Sequence, residues 1–287
     1  MAARQELVLG GARALRKQFD RQARWSRATV WVGAGLVGAV ALAGILAGVL
    51  APYKPNTQNL LEAFQAPSGS HLFGTDQYGR DIFSRSLYAI RVDLVFGLVT
   101  TFVPMVLGMA LGAIAGYYRG WRESVIMRLV DITIALPFIV LVLAIVAIVG
   151  PGIKGVYIGV TIVSWALYAR LTRAEMLVLR EQQFIMAARA LGLSTPRILL
   201  RHALPNAMGP VLSVVALNLG YLISGVAVIE VVFSYPGLGR LMVDSISYRD
   251  MPLIQTTAMI FCTLYIFFNF VADLSSVLLN PRLMHAS

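Results

Sequence analysis

Apolar positions in this chain come in long unbroken runs, not in alternation. Six stretches are mainly apolar over the length a membrane-spanning helix needs, roughly 17–25 residues: 29–50, 94–117, 132–150, 155–172, 208–229 and 252–272. None alternates with period two, so the strand pattern of a transmembrane barrel is absent. The pattern predicts an all-α integral membrane protein with six transmembrane helices. The first stretch follows 28 polar and basic residues and is about 22 residues long. That is too long for the apolar region of an ordinary signal peptide, so a retained anchor is expected.

Composition agrees. Of 287 residues, 58% are hydrophobic and 13% charged, where a soluble domain carries about 25% charged residues. The net charge of +10 would suit nucleic acid, but the basic residues lie between apolar stretches and not on a water-soluble face. Their placement instead sets orientation. The N-terminus, the 118–131 loop, the 173–207 loop and the C-terminus together hold 16 Lys and Arg, against seven in the opposite set. The richer side is cytoplasmic, so both termini are expected inside. The chain then divides into a cytoplasmic basic N-terminal segment, 1–28, and a six-helix transmembrane domain, 29–287, with an external loop at 51–92. Leu7, Leu9, Leu15 and Phe19 are interspersed with arginines and could form a surface helix; enforcing topology is the favoured reading. Cys262 has no partner for an internal disulfide, and the three histidines are scattered. No metal-ligand cluster results.

The external loop runs through Phe73, Gly74, Thr75, Asp76, Gln77, Tyr78, Gly79, Arg80 and Asp81. Gly74 and Gly79 have the spacing of a phosphate-binding loop, but Asp76 and Asp81 would repel a phosphate there, and Arg80 and Asp81 replace the Lys and Ser/Thr that follow the second glycine. The expected structure is a glycine-punctuated turn, then a short helix with Asp81 as its N-cap. The cytoplasmic loop is more ordered. Phe184 to Leu191 reads as a short helix closed by Gly192 as C-cap glycine. Thr195 and Pro196 read as N-cap and first position of a second helix, which is expected to stop before Pro205. Together they form a compact knob suited to docking into a partner, the alternative being a helix lying in the lipid headgroups.

Within the spans, Gly108, Gly112 and Gly116 recur at four-residue spacing and predict close helix contact; Gly44 and Gly48 read the same way. Asp131 is expected to pair with Arg128, and Asp273 to reach water at the inner boundary. Asn218 and Asn269 are expected to bridge helices. Glu230 is open to two readings, a cargo contact or a contact with its own Tyr235-Pro236-Gly237 turn. That turn is a candidate outer gate.

At this point the chain resembles a known family. Phe184, Ile185, Met186, Ala187, Ala188, Arg189, Ala190, Leu191, Gly192 and then His202, Ala203, Leu204, Pro205 resemble the cytoplasmic loop of permease subunits in binding-protein-dependent ABC importers. Ala187, Ala188, Gly192, Leu204 and Pro205 fall on the family pattern; Met186 stands where Glu is usual and His202 where Ile is usual. The departures leave the docking role in place and bear on any salt bridge that a Glu would make. The external run from Phe73, and Phe233 to Leu241, resemble the dipeptide/oligopeptide/nickel branch, and its "C" permeases in particular. The similarity extends over nearly the whole chain from about residue 25.

The resemblance implies a type I ABC importer permease fold in the bacterial cytoplasmic (inner) membrane. It further implies a sister permease completing a heterodimeric pore, two ATPase subunits that bind ATP and Mg, and an external substrate-binding protein. The chain itself would be non-catalytic and hold no cofactor, with no Walker A of its own. The knob would then couple nucleotide closure to alternating access around a midplane cavity. Di- or oligopeptides are the expected cargo, with nickel chelates, glutathione and opine-like compounds as alternatives. An ion-coupled secondary transporter would need buried acids at the midplane, which these spans lack. An intramembrane hydrolase would need a histidine at the depth of Ser164 or Ser213, and His71, His202 and His285 all lie in loops or tails.

Overall fold

The computed structural model describes the backbone of residues 33, 35 and 38–279, and their side chains except at 216, 217, 219–226 and 267–279. The basic segment 1–28, the start of the first span, the Asn269 and Asp273 side chains, Arg282 and His285 lie outside the described residues.

Helical backbone at 38–45 leads into α1 (Ala47–Leu50). A lobe follows, with one 3-10 turn (Leu60–Glu62). The long helices are α2 (Ile82–Tyr118), α3 (Gly120–Ala135), α4 (Phe138–Val149) and α5 (Ile153–Leu179). The knob holds α6 (Gln183–Ala190), α7 (Thr195–Ile198) and a π turn (Leu199–Ala203). Then come α8 (Leu204–Val232), α9 (Leu238–Tyr248) and α10 (Met251–Leu279). Among the described residues there is no strand, only an isolated bridge between Thr75 and Asp81. Among the described residues three helical stretches are long and apolar enough to cross a membrane, and a bent pair adds a fourth.

Four of the expected elements are corrected. The short helix after Asp81 and the span 94–117 are one 37-residue helix, about 55 Å long at 1.5 Å per residue, so its first turns stand clear of a ~30 Å hydrocarbon core. The stretch 132–150 is not one span: α3 and α4 meet at 102°. Pro137 is the cause, because its ring pushes Leu136 out of the helical region, and Leu136 is extended at φ −95° and ψ 143°. The loop 118–131 is mostly α3, entered through a sharp reversal with positive φ at Arg119 and Gly120. Finally, the helix before Pro205 does not stop. It runs through the π turn, whose Leu204 amide reaches the Leu199 carbonyl. The widened turn accommodates a ring that would otherwise crowd the carbonyl four residues back.

The α2–α5 contact organises the bundle. A Cβ on Gly108 would fall 2.6 Å from the Tyr168 Cβ, one on Gly112 2.9 Å from the Thr172 Cβ, and one on Gly116 2.6 Å from the Arg173 carbonyl oxygen. The three glycines therefore let two backbones touch over two turns. Gly44 likewise packs on Ile90, whereas Gly48 meets nothing within 4 Å among the described residues. Around this contact Leu94, Met105, Tyr168, Val211, Leu241 and Leu264 join α2, α5, α8, α9 and α10 in one apolar cluster. Asp131 pairs with Arg170 at 2.9 Å, not with Arg128. Both side chains are more than half exposed, so the pair is worth about 0–1 kcal/mol.

Gly112→Leu is expected to destabilise the protein by about 1–3 kcal/mol or more through overpacking, and Gly48→Leu to leave it unchanged. Thermal unfolding of the detergent-solubilised protein checks this; equal midpoints for the two variants would contradict the packing account.

Candidate functional site

The knob is fixed at one end of the α2–α5 pair. Helix α6 buries Ile185 and Ala188 against Met176, Ala113, Ile198 and Ala207. It ends as the sequence predicts: Gly192 takes φ 76°, its amide reaches the Arg189 carbonyl at 2.9 Å, and the Leu193 amide reaches that of Ala188 at 3.2 Å. Both bonds define a Schellman closure. Arg189 donates from Nε to the Tyr117 hydroxyl at 3.0 Å and lies over its ring, while Arg180 reaches the Tyr117 carbonyl. Helix α6 is thus tied to the last turn of α2 as well as to α5. Its other face is open: Phe184, Met186, Ala187 and Leu191 are exposed, Leu191 at 80%. Leu204 is partly buried and Pro205 exposed where α8 begins.

The lobe at the opposite end is built around two carboxylates. Asp76 is fully buried. Its Oδ1 accepts the Tyr78 and Arg80 amides at 2.8 and 3.0 Å, and its Oδ2 accepts from Arg80 Nε at 2.7 Å and from Arg85. Asp81 caps α2 by accepting the Ser84 amide at 2.7 Å, and meets His71 Nδ1 at 2.9 Å. Gly79 at φ 67° passes so close to the Asn59 carbonyl that no Cβ fits. Gly74 takes φ 79° and Thr75 bonds back to Gln65, while Phe73 sets its ring edge-on to Phe83. The glycine-spaced run is thus a folded clasp with its acids turned inward.

The turn before α9 sets Glu230 against backbone amides. The Glu230 side chain is fully buried and accepts the Arg240 amide at 2.7 Å. Asp93 of α2 accepts the Leu238 amide at 3.0 Å. Two acids from two other helices therefore cap the N-terminus of α9, where unpaired amides favour negative charge. Gly237 is required there, since a Cβ would strike both carboxyl groups, and a Cβ on Gly239 would strike Ala227. Tyr235 is buried, with its hydroxyl 3.1 Å from that of Tyr157 and its ring on Phe96. Nearby, Asp250 accepts the Leu253 amide at 3.1 Å as α10 begins. Burial pushes its carboxyl above the ordinary value and Asp76 adds to that, against the pull of the Leu253 amide and Arg85.

Sequence reasoning did not locate the cavity. About 610 Å³ lies where α2, the α3–α4 break, α5 and α8 meet, with Thr100, Thr101, Thr133, Ser164, Tyr168 and Asn218 as its polar groups. Asn218 donates to the Tyr168 hydroxyl at 3.3 Å, the helix bridge expected of it. The usable signal was Pro137, which opens the wall between Leu136 and Phe138. Asp93 was also missed, because it stands at the polar edge of an apolar run.

Residues 108–285 match the family described as binding-protein-dependent transport system inner membrane component. Similar curated proteins include the dipeptide transport system permease protein of Alkalihalophilus pseudofirmus, 39% identical over 72% of this chain and 67% of that protein. The glutathione transport system permease protein of Pectobacterium atrosepticum is 38% identical over 75% of this chain and 71% of that protein. Among solved structures, an inward-facing methionine ABC transporter superposes with a TM-score of 0.58, covering 69% of this chain and 96% of its own at 21% identity. This last likeness is one of fold.

Asp76→Asn leaves the Arg80 and Arg85 guanidiniums without their carboxylate, at a cost of about 3–5 kcal/mol for a broken buried pair. Limited trypsin digestion is expected to cut the variant at these arginines; a lobe as resistant as the wild type would contradict the clasp.

Proposed function

The chain belongs to the family of binding-protein-dependent transport system inner membrane components, and from that premise we propose that it forms half of the translocation pathway of an ATP-driven importer of di- and oligopeptides. The observation that carries this reading is the knob: a short helix with an unpartnered apolar face, clamped to the ends of α2 and α5. A helix held in that way passes on a displacement instead of absorbing it. Seated in a cleft of an ATPase subunit, α6 would move when the nucleotide dimer closes and carry α2 and α5 with it. The chain supplies no ATP site of this process; ATP and Mg²⁺ belong to the two partner ATPases, and a sister permease forms the rest of a heterodimeric pore. The end bearing α6 is then cytoplasmic and the lobe faces the external binding protein, as the distribution of Lys and Arg favours.

The cavity supports the choice of cargo. Among the described residues its walls carry hydroxyl and amide groups and no charged side chain. Such walls can hydrogen-bond the peptide groups common to all short peptides while accepting varied side chains against Ile134, Val163 and Ile229. Relatives named for dipeptide and glutathione transport point to the same chemistry, since glutathione is itself a peptide.

Phe184→Asp and Leu191→Asp place charge on the open face of α6 without touching its buried side. Each is expected to lower ATP-driven peptide uptake by proteoliposomes at least about tenfold, the ~1.4 kcal/mol or more of an interface anchor. Each should also reduce the ATPase recovered with the solubilised complex. Uptake at the wild-type rate in both variants would overturn the coupling role.

A further inference from the structure

A second cavity, of about 350 Å³, opens at the lobe end between the start of α2 and the start of α9. Three guanidiniums line it, those of Arg80, Arg85 and Arg240, with Asp244 as the one acidic side chain in the lining. The lobe clasp and the capped turn meet here, since Pro236 and Gly237 form part of the wall. Each guanidinium offers five N–H donors. Arg80 uses Nε and Arg85 one terminal nitrogen, both on Asp76. Among the described residues the Arg240 guanidinium makes no hydrogen bond, its Nε standing 3.9 Å from Asp244. Asp76 is saturated from behind and fully buried, so the remaining donors of Arg80 and Arg85 are left for the cavity. Their side chains are only 14% and 10% exposed, which holds the forks in place and limits competing water.

We propose that this cavity is a binding site for a free carboxylate of the cargo, the C-terminal carboxylate of a short peptide, on its way to the central cavity. The proposal rests on the importer reading given above. A planar carboxylate matches a guanidinium fork in two parallel bonds, and Arg240 is the fork least engaged. The cavity is too small for a protein surface element but holds a carboxylate with one adjoining side chain, for which Ala89, Val92 and Leu241 provide apolar wall. Asp244 competes with the ligand for Arg240 and sets the affinity low enough for release.

The test uses the assembled transporter in nanodiscs without its binding protein. A photoreactive dipeptide with a free C-terminal carboxylate, and its C-terminal amide, are cross-linked and mapped by mass spectrometry. The acid is expected to label the cavity walls around 88–92 and 236–241 about tenfold more than the amide, the scale of a charge-assisted hydrogen bond. Arg240→Gln should abolish that preference and Asp244→Asn should enlarge it. Equal labelling by acid and amide, or labelling elsewhere in the chain, overturns the proposal. So does an Arg240→Gln variant that keeps the preference and instead loses affinity for the binding protein, which would assign the arginines to docking. If the wild-type complex shows no ATP-driven uptake of dipeptides, the importer reading fails on its own, whatever the labelling pattern.

Discussion

Everything in this fold depends on two helix backbones lying in direct contact. Where Gly108, Gly112 and Gly116 meet the Trp165–Arg173 stretch of α5, no side chain separates α2 from α5. In a bilayer, lipid tails are as apolar as leucine, so helix association relies on close packing and polar contacts. Three glycines at four-residue spacing supply that closeness along one stripe. The result is a two-helix strut that reaches from the lobe to the knob.

The strut explains why features far apart in sequence work on one body. Its lobe end carries the Asp76 clasp and, about three turns into α2, Asp93, which with Glu230 caps the start of α9. Its other end carries Tyr117, the anchor of Arg189 and Arg180, and Met176, on which Ile185 packs. Both ends use the same device: buried polar or apolar anchors hold a short helix against the strut and leave one face for a partner or a ligand. Between them, the Pro137 break opens the cavity that the strut walls on one side.

Much of this was legible in the sequence. The glycine stripe, the Asp81 cap and the Gly192 closure rest on local rules, and each of these local preferences agrees with the tertiary outcome. What sequence reasoning misplaced depended on three-dimensional neighbours. Asp131 found Arg170 on another helix instead of Arg128 on its own. The contact of Glu230 with the α9 amides depends on Asp93 and Gly237, which come from other parts of the chain. Pro205 was read as a stop because a helix normally ends there, whereas the π turn lets α7 run on into α8. The basic cavity joins residues about 160 apart in sequence, such as Arg80 and Arg240, and no periodicity marks such a meeting.

The central claim is that the strut moves as one piece between its two ends. Spin labels at 91 and 186, with Cys262 replaced, measure it directly by pulsed electron resonance in the assembled transporter. The account predicts one 91–186 distance distribution in the nucleotide-free and ATP-trapped states, while the distance from 186 to the facing permease changes. A 91–186 distance that shifts as far as the inter-subunit one would contradict it.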